Sequence, residues 1–342
     1  MNRKIIVVVV CIFFFITNPI IESNPLKKEQ NLENNHVSNK MISYRWNARD
    51  IKIIMNEKIE NLEDYNINVS VYLPIPMNLS AQIIRYPIKY NIKPDEYVID
   101  SWDQKVACYY RNLKPGENIT IQWGINATIY TIRHIIFPWL VKGEIPKEII
   151  DKYTSDETKY QIHHPIIQNI VEEQTNGIEN PLIKSILLCN YVCNHLSYVL
   201  DDQWDDAPTV LERGNGSCSE YCFVYISLLR AAGIPARYMG GTVFKSNETP
   251  YIDNVFHRIV EIYLPNYGWI PVDPTWGDYS KIPFFYFGSY QNKIFIVSIG
   301  GGPSEFLDWN YCHWEGWSPD SQNVYVNLSF TWGIWNRKNI NN

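Results

Sequence analysis

The chain has 342 residues, room for about two domains of ordinary size, each able to bury its own core. With 46% hydrophobic and 19% charged residues it is too apolar to remain unfolded. A formal charge of −6 without a basic stripe excludes the electrostatic footprint that a phosphate backbone demands, so nucleic acid is not an expected partner.

Arg3 and Lys4 precede an apolar run from Ile5 to Ile16. Such a run is short for a membrane span and has the length of the apolar centre of a secretory signal. Residues 1–22 are therefore expected to be a signal peptide or an N-terminal anchor, placing the protein outside the cytoplasm, secreted or at the cell surface. Any membrane attachment is expected through this segment alone. No small-x-small cleavage site follows, so the cleaved and anchored readings both stand. Seven sequons between Asn68 and Asn327 suit a glycosylated exported protein, but the chain is so rich in asparagine that they weigh little. Residues 23–42 are polar and charged and read as a flexible linker.

From about Ile51 short alternating segments are separated by turn residues. Asn68–Leu73, Gln82–Tyr86, Tyr97–Ile99, Lys105–Tyr110 and Asn118–Trp123 all have strand character, with a hairpin turn expected at Trp102-Asp103-Gln104. This spacing predicts a β-sandwich-like domain over residues 43–140 with a structural or substrate-positioning role. Glu144-Ile145-Pro146 opens a second regime, residues 141–342. Ile166, Ile167, Ile170 and Val171 recur at helical spacing, and Asn180-Pro181 caps a second helix whose broad apolar face runs from Leu182 to Leu196. An acidic loop, Asp201 to Asp206, leads to the run Arg213-Gly214-Asn215-Gly216-Ser217-Cys218. The glycines and asparagine break regular structure just before the cysteine, and Phe223, Ile226 and Leu229 behind it recur at helical spacing up to Gly233.

Cys218 is thus predicted in the first turn of a helix, where unpaired N–H groups and the helix dipole favour a thiolate. Downstream, Asn254–Pro265 alternates like a strand and Gly268–Thr275 follows a short Asn266-Tyr267 turn. As antiparallel neighbours these bring His257, near the start of one, beside Asp273, near the end of the next. The order is nucleophile, base and orienting acid. Alone, Cys218 would be read as a buried structural thiol, His257 as a strand residue and Asp273 as a turn-former before proline. Further strands are expected at Phe284–Gly288, Lys293–Ile299 and Val324–Phe330.

Gly216-Ser217-Cys218-Ser219-Glu220-Tyr221, the helix ending Ala232-Gly233-Ile234-Pro235-Ala236-Arg237-Tyr238, the strand with His257 and Glu261, and Gly268-Trp269-Ile270-Pro271-Val272-Asp273-Pro274-Thr275 together resemble the transglutaminase-like superfamily of papain-related thiol enzymes. The resemblance implies an α+β fold, with the cysteine at a helix N-terminus packed on an antiparallel sheet and a β-sandwich-like domain in front. It also implies a Cys218-His257-Asp273 triad acting on amide bonds through a thioester, with the Cys218 backbone N–H as an oxyanion donor and Gln203 or Trp204 as candidates for a second. Glu220, Arg237 and Glu261 match the pattern as ion-pair or hydrogen-bond residues supporting the fold. Cys222 departs from it, standing where the family has a small buried residue.

The expected reaction is hydrolysis or acyl transfer, with a cysteine-peptidase-like hydrolase favoured. A protein or peptide is the expected substrate, a cell-wall isopeptide or glycoprotein among the candidates. This chemistry needs no metal or organic cofactor, and the calcium dependence of some relatives has no dedicated ligand loop here. Two other classes stay open. One is a catalytically inactive surface-binding or scaffold protein of the same fold. The other is a thiol-metal or redox protein using Cys189, Cys193, Cys218 and Cys222, which lie four apart in pairs on predicted helices.

Overall fold

The computed structural model describes residues 42–201, 203–280 and 283–335; the expected signal segment, and all but the last residue of the expected linker, lie outside them. The first half is built of strands β1 (Ile42–Asn61), β2 (Ile67–Pro74), β3 (Gln82–Tyr90), β4 (Glu96–Ile99), β5 (Lys105–Leu113) and β6 (Asn118–Ile135). Alternation decides which face of each is buried. In β1, Ile51, Ile53, Met55, Glu57 and Ile59 point inward while Lys52 is exposed. β1 pairs antiparallel with β6 from Glu60↔Asn118 to Ile42↔Ile135, interrupted by one register shift between Trp46 and Arg49.

The second half opens with α1 (Lys147–Tyr153), α2 (Pro165–Thr175) and α3 (Pro181–His195). Asn180 caps α3 as its sequence predicts, its side-chain oxygen accepting from the N–H groups of Leu182 and Ile183 at 3.0 and 3.3 Å. There follow β7 (Ser197–Tyr198), α4 (Ala207–Arg213), β8 (Asn215–Gly216) and α5 (Cys218–Ala231). Every residue of α5 from Cys218 to Arg230 is buried, so this helix is wrapped on all sides by its neighbours. Its end is closed by Gly233 at φ 75°, with the Ile234 N–H reaching back to the Leu229 carbonyl. The remaining elements are β9 (Ala236–Val243), β10 (Tyr251–Asp253), β11 (His257–Leu264), β12 (Gly268–Val272), α6 (Pro274–Tyr279), β13 (Ser289–Tyr290), β14 (Ile294–Gly300), β15 (Trp314–Ser318) and β16 (Val324–Ile334).

An antiparallel sheet of order β12-β11-β9-β14 lies against α5. The two larger sheets run β10-β16-β1-β6-β13, with β3 also on β6, and β15-β2-β5-β4. They do not respect the boundary expected at residue 140. β16 pairs with β1 from Asn61↔Val324 to Ile51↔Ile334, and β15 pairs with β2. β10 and β13 add to the same sheet from the middle of the expected second domain. The reason is geometric: β6 covers one edge of the long β1, and the C-terminal segment supplies the strand for the other. The strand expected at Phe284–Gly288 is also corrected, because Pro283–Tyr286 forms a 3₁₀ turn, for which proline at the first position is preset and which needs no ladder donor from it.

Candidate active site

The nucleophile elbow is held from both sides. Gly214 takes the left-handed C-cap of α4 at φ 76°, its N–H bonded to the Val210 carbonyl. Ser197 and Val199 donate their N–H groups to the carbonyls of Gly214 and Gly216 at 3.0 Å. A Cβ on Gly216 would fall 2.9 Å from both the Cβ and Oε2 of Glu220, so only glycine fits there. Glu220, fully buried, accepts from the Ser217 N–H at 2.7 Å and the Asp205 N–H at 3.1 Å, and pairs with Arg213 at 2.7 Å. It closes the first turn of α5 and fastens the acidic loop to that helix. Cys218 emerges at the first position of α5, as its flanking glycines predict.

Across from it, β11 and β12 pair with Val260 opposite Val272, which brings the residue after β12 level with the start of β11. His257 Nε2 and Asp273 Oδ2 lie 2.8 Å apart, both buried. The other Asp273 oxygen accepts from the Trp276 N–H at 3.0 Å and caps α6. The Trp276 ring stacks on the imidazole with centroids 5.0 Å apart and planes 17° from parallel. With Nε2 committed to Asp273, Nδ1 is the imidazole nitrogen left to serve the Cys218 thiol, with which His257 interacts electrostatically. The thiol also lies 3.8 Å from the Phe256 carbonyl oxygen.

Electrostatics separate this thiol from the others. Burial alone would raise Cys218, but its hydrogen bond and Coulombic attraction to His257, with the Arg258 backbone N–H and guanidinium, outweigh burial and hold it below the ordinary thiol range. Burial alone would lower His257, yet Asp273 and Cys218 together push it up to about 10. The two shifts, a lowered thiol and a raised imidazole, both favour the thiolate–imidazolium form over the neutral pair. Burial raises Cys222 and Cys312, and pushes Cys108 up to about 11. Cys189 is raised first by its hydrogen bond to Cys193.

Residues 168–274, from within α2 to the first residue of α6, match the sequence profile of the transglutaminase-like superfamily. The chain carries a transglutaminase-like domain. An uncharacterised protein of Haemophilus influenzae is 29% identical over 52% of this chain and 47% of its own length. The uncharacterised Bacillus subtilis protein YebA is 34% identical over 20% of this chain and 10% of its own. This chain thus spans about half or less of the curated relatives it matches. In three dimensions, a Cytophaga hutchinsonii protein described as a candidate cysteine protease superposes with a TM-score of 0.59 at 16% identity, over 86% of this chain and 100% of its own. That likeness is one of fold, and at this coverage it reaches beyond the matched segment into the strand-rich half.

Other predicted residues of the transglutaminase-like domain fall in different places. Arg237 and Glu261 form an ion pair at 2.7 Å, with Trp269 3.9 Å beneath the guanidinium. Gln203 is exposed and its side-chain oxygen accepts from Arg213 at 3.2 Å; among the described residues no hydrogen bond links it to Cys218. The Trp204 ring stacks on Tyr311 with centroids 5.9 Å apart. Cys193 and Cys222 donate to the carbonyls of Pro274 and Arg258 at 3.3 Å, and among the described residues the four helix thiols form no metal-ligating cluster.

Arg258 escapes the sequence reading. It is fully buried, donates to the Trp309 carbonyl at 2.6 Å, and its guanidinium sits 4.4–4.9 Å from the ring centres of Tyr311, Tyr238, Trp204 and Phe223. The available signal was a cation in a mostly apolar strand, one residue after the histidine. Arg258→Met removes the positive charge while keeping an apolar stem among the rings. The pH midpoint of Cys218 alkylation by iodoacetamide is expected to move upward. An unmoved midpoint would dismiss Arg258 from the electrostatics of the thiol.

Proposed function

We propose that the protein is an extracytoplasmic thiol enzyme that hydrolyses or exchanges amide bonds through a thioester on Cys218, in the manner of a cysteine peptidase. The observation that carries this reading is the buried His257–Asp273 pair at 2.8 Å, interacting electrostatically with the Cys218 thiol at the first position of α5. The thiolate attacks an amide carbonyl carbon, and the Cys218 backbone N–H at the helix N-terminus is positioned to meet the developing oxyanion. Collapse of the tetrahedral adduct breaks the C–N bond as the His257 imidazolium gives its proton to the leaving amine. Neutral His257 then deprotonates water or a second amine, which attacks the thioester and releases the acid, or a new amide, with the thiol restored. Asp273 holds the imidazole in one tautomer and balances its charge. These side chains supply nucleophile, base and acid, so the cycle needs no metal or organic cofactor.

The substrate class is a protein or peptide, cell-wall isopeptides and glycoproteins included. The extracytoplasmic location is supported by Arg3 and Lys4 ahead of the apolar run to Ile16. A panel of amide donors offered with and without a primary amine, to the wild type and Cys218→Ala, tests the reading. Free acid as the only product indicates hydrolysis, and amine-linked product indicates transfer. Ahead of any substrate, iodoacetamide at pH 7 is expected to label Cys218 at least about tenfold faster than the remaining thiols. Equal labelling, with no turnover on the panel, would favour the inactive scaffold of the same fold.

A further inference from the structure

One cluster of titratable groups lies inside the sandwich, apart from the thiol chemistry. Glu57 stands in β1 between the inward-facing Met55 and Ile59, a position at which alternation calls for a hydrophobe. Its side chain is 0% exposed and neither carboxylate oxygen has a hydrogen-bond partner. From the other sheet, His313, just before β15, and Glu315, near the start of that strand, face it, bonded to each other. His313 Nδ1 is 3.8 Å from Glu57 Oε1, too far for a hydrogen bond. One ligand atom from each of the three residues falls within 4.8 Å of the other two.

A buried carboxylate without a donor is costly unless a cation balances it. His313, 3.8 Å away, is such a cation when protonated, but Glu315, bonded to it, adds a second negative charge that one imidazolium leaves unbalanced. We propose that Glu57, His313 and Glu315 form a binding site for a divalent transition-metal ion, zinc being the cation used to test it, which clamps the two sheets of the sandwich together. Zinc holds imidazole nitrogen and carboxylate oxygen at about 2.0–2.2 Å, which at tetrahedral angles sets its ligands about 3.4 Å apart. Ligand atoms within 4.8 Å of one another reach that spacing with shifts of up to about 1.5 Å. One imidazole with two carboxylates suits zinc, manganese or iron, and three protein ligands leave a position for water. The His313 and Glu315 side chains are 23% and 10% exposed, which gives the ion a path from the surface. Glu57 and His313 are 256 residues apart, so no sequence spacing announces the site.

The test uses the full chain carrying Cys218→Ala, to remove the reactive thiol, stripped with EDTA and given zinc before gel filtration. About one zinc per chain is expected to be retained, with a rise in the thermal midpoint. Glu57→Gln and His313→Ala, each on that background, are expected to retain none and show no rise. Should His313→Ala fail to fold, Glu57→Gln still decides, because it removes the buried charge and keeps the shape. Cobalt(II) in place of zinc is expected to give d–d bands without a thiolate charge-transfer band. The proposal is overturned if the stripped protein takes up no zinc, if either variant binds it as well as its parent, or if the cobalt spectrum carries the thiolate band. Lack of uptake would identify Glu57 as a protonated, cation-free carboxyl. None of these outcomes depends on turnover at Cys218.

Discussion

If the proposed amide chemistry holds, Asp273→Asn is expected to lower its kcat/KM by about 10⁴-fold while leaving the protein folded. The substitution is informative because Asp273 does two jobs with two oxygens. Oδ1 accepts from the Trp276 N–H and caps α6, and asparagine keeps that oxygen. Oδ2 accepts from His257 Nε2, and asparagine puts an N–H there instead. The imidazole must then turn or change tautomer, and its imidazolium form loses its counter-charge.

The pH dependence follows with a definite sign. In the wild type, His257 is raised to about 10, so its imidazolium, the proton donor of the proposed reaction, persists until the pH rises through that value. Relative to an unfolded histidine near 6.5, the interaction stabilises the fold fully below about pH 6.5 and is lost as the pH climbs through about 10. At the acid side, Cys218 lies below the ordinary thiol range, so nucleophile is lost only as the pH falls through that lowered value. In Asp273→Asn the alkaline limb should move to lower pH, and Cys218 alkylation near pH 6 should slow. Asp273→Ala removes the helix cap as well and should cost about 1 kcal/mol more in stability. An Asp273→Asn enzyme within tenfold of wild type, with unaltered pH limbs, would rule out the triad.

Glu220→Ala is expected to destabilise the protein by about 3–5 kcal/mol, the range for removing one partner of a buried ion pair. The substitution orphans the N–H groups of Ser217 and Asp205 and takes from Arg213 its one fully buried partner. Arg213 retains Asp205 at 2.7 Å and Asp201 at 3.4 Å, but both are more exposed and so more screened. The loss should appear as a lower urea midpoint and a fall in melting temperature on the order of 10 °C. Glu220→Gln, which keeps an acceptor for Ser217 and discards the charge, should lie between. A loss under about 1 kcal/mol for Glu220→Ala would mean that the elbow is held by its glycines and the β7–β8 pairing alone.

What was legible in the sequence was local. The glycines before Cys218, the helical spacing after it and the two strands separated by Asn266-Tyr267 each depend on a few neighbouring residues, and together they dictate that His257 meets Asp273. The helix cap at Asn180 was readable for the same reason. Tertiary structure alone decided the rest. It set β16 against β1, took Gln203 to Arg213, ringed Arg258 with aromatic side chains from α5, β9 and the loops around Trp204 and Tyr311, and laid His313 and Glu315 over Glu57. Except for Gln203 and Arg213, ten residues apart, each of these joins segments tens to hundreds of residues apart. Local propensity is indifferent to which distant partner a strand edge or a buried charge finds, and the choice falls to the packing that best covers apolar faces and satisfies buried polar groups once the whole chain has closed.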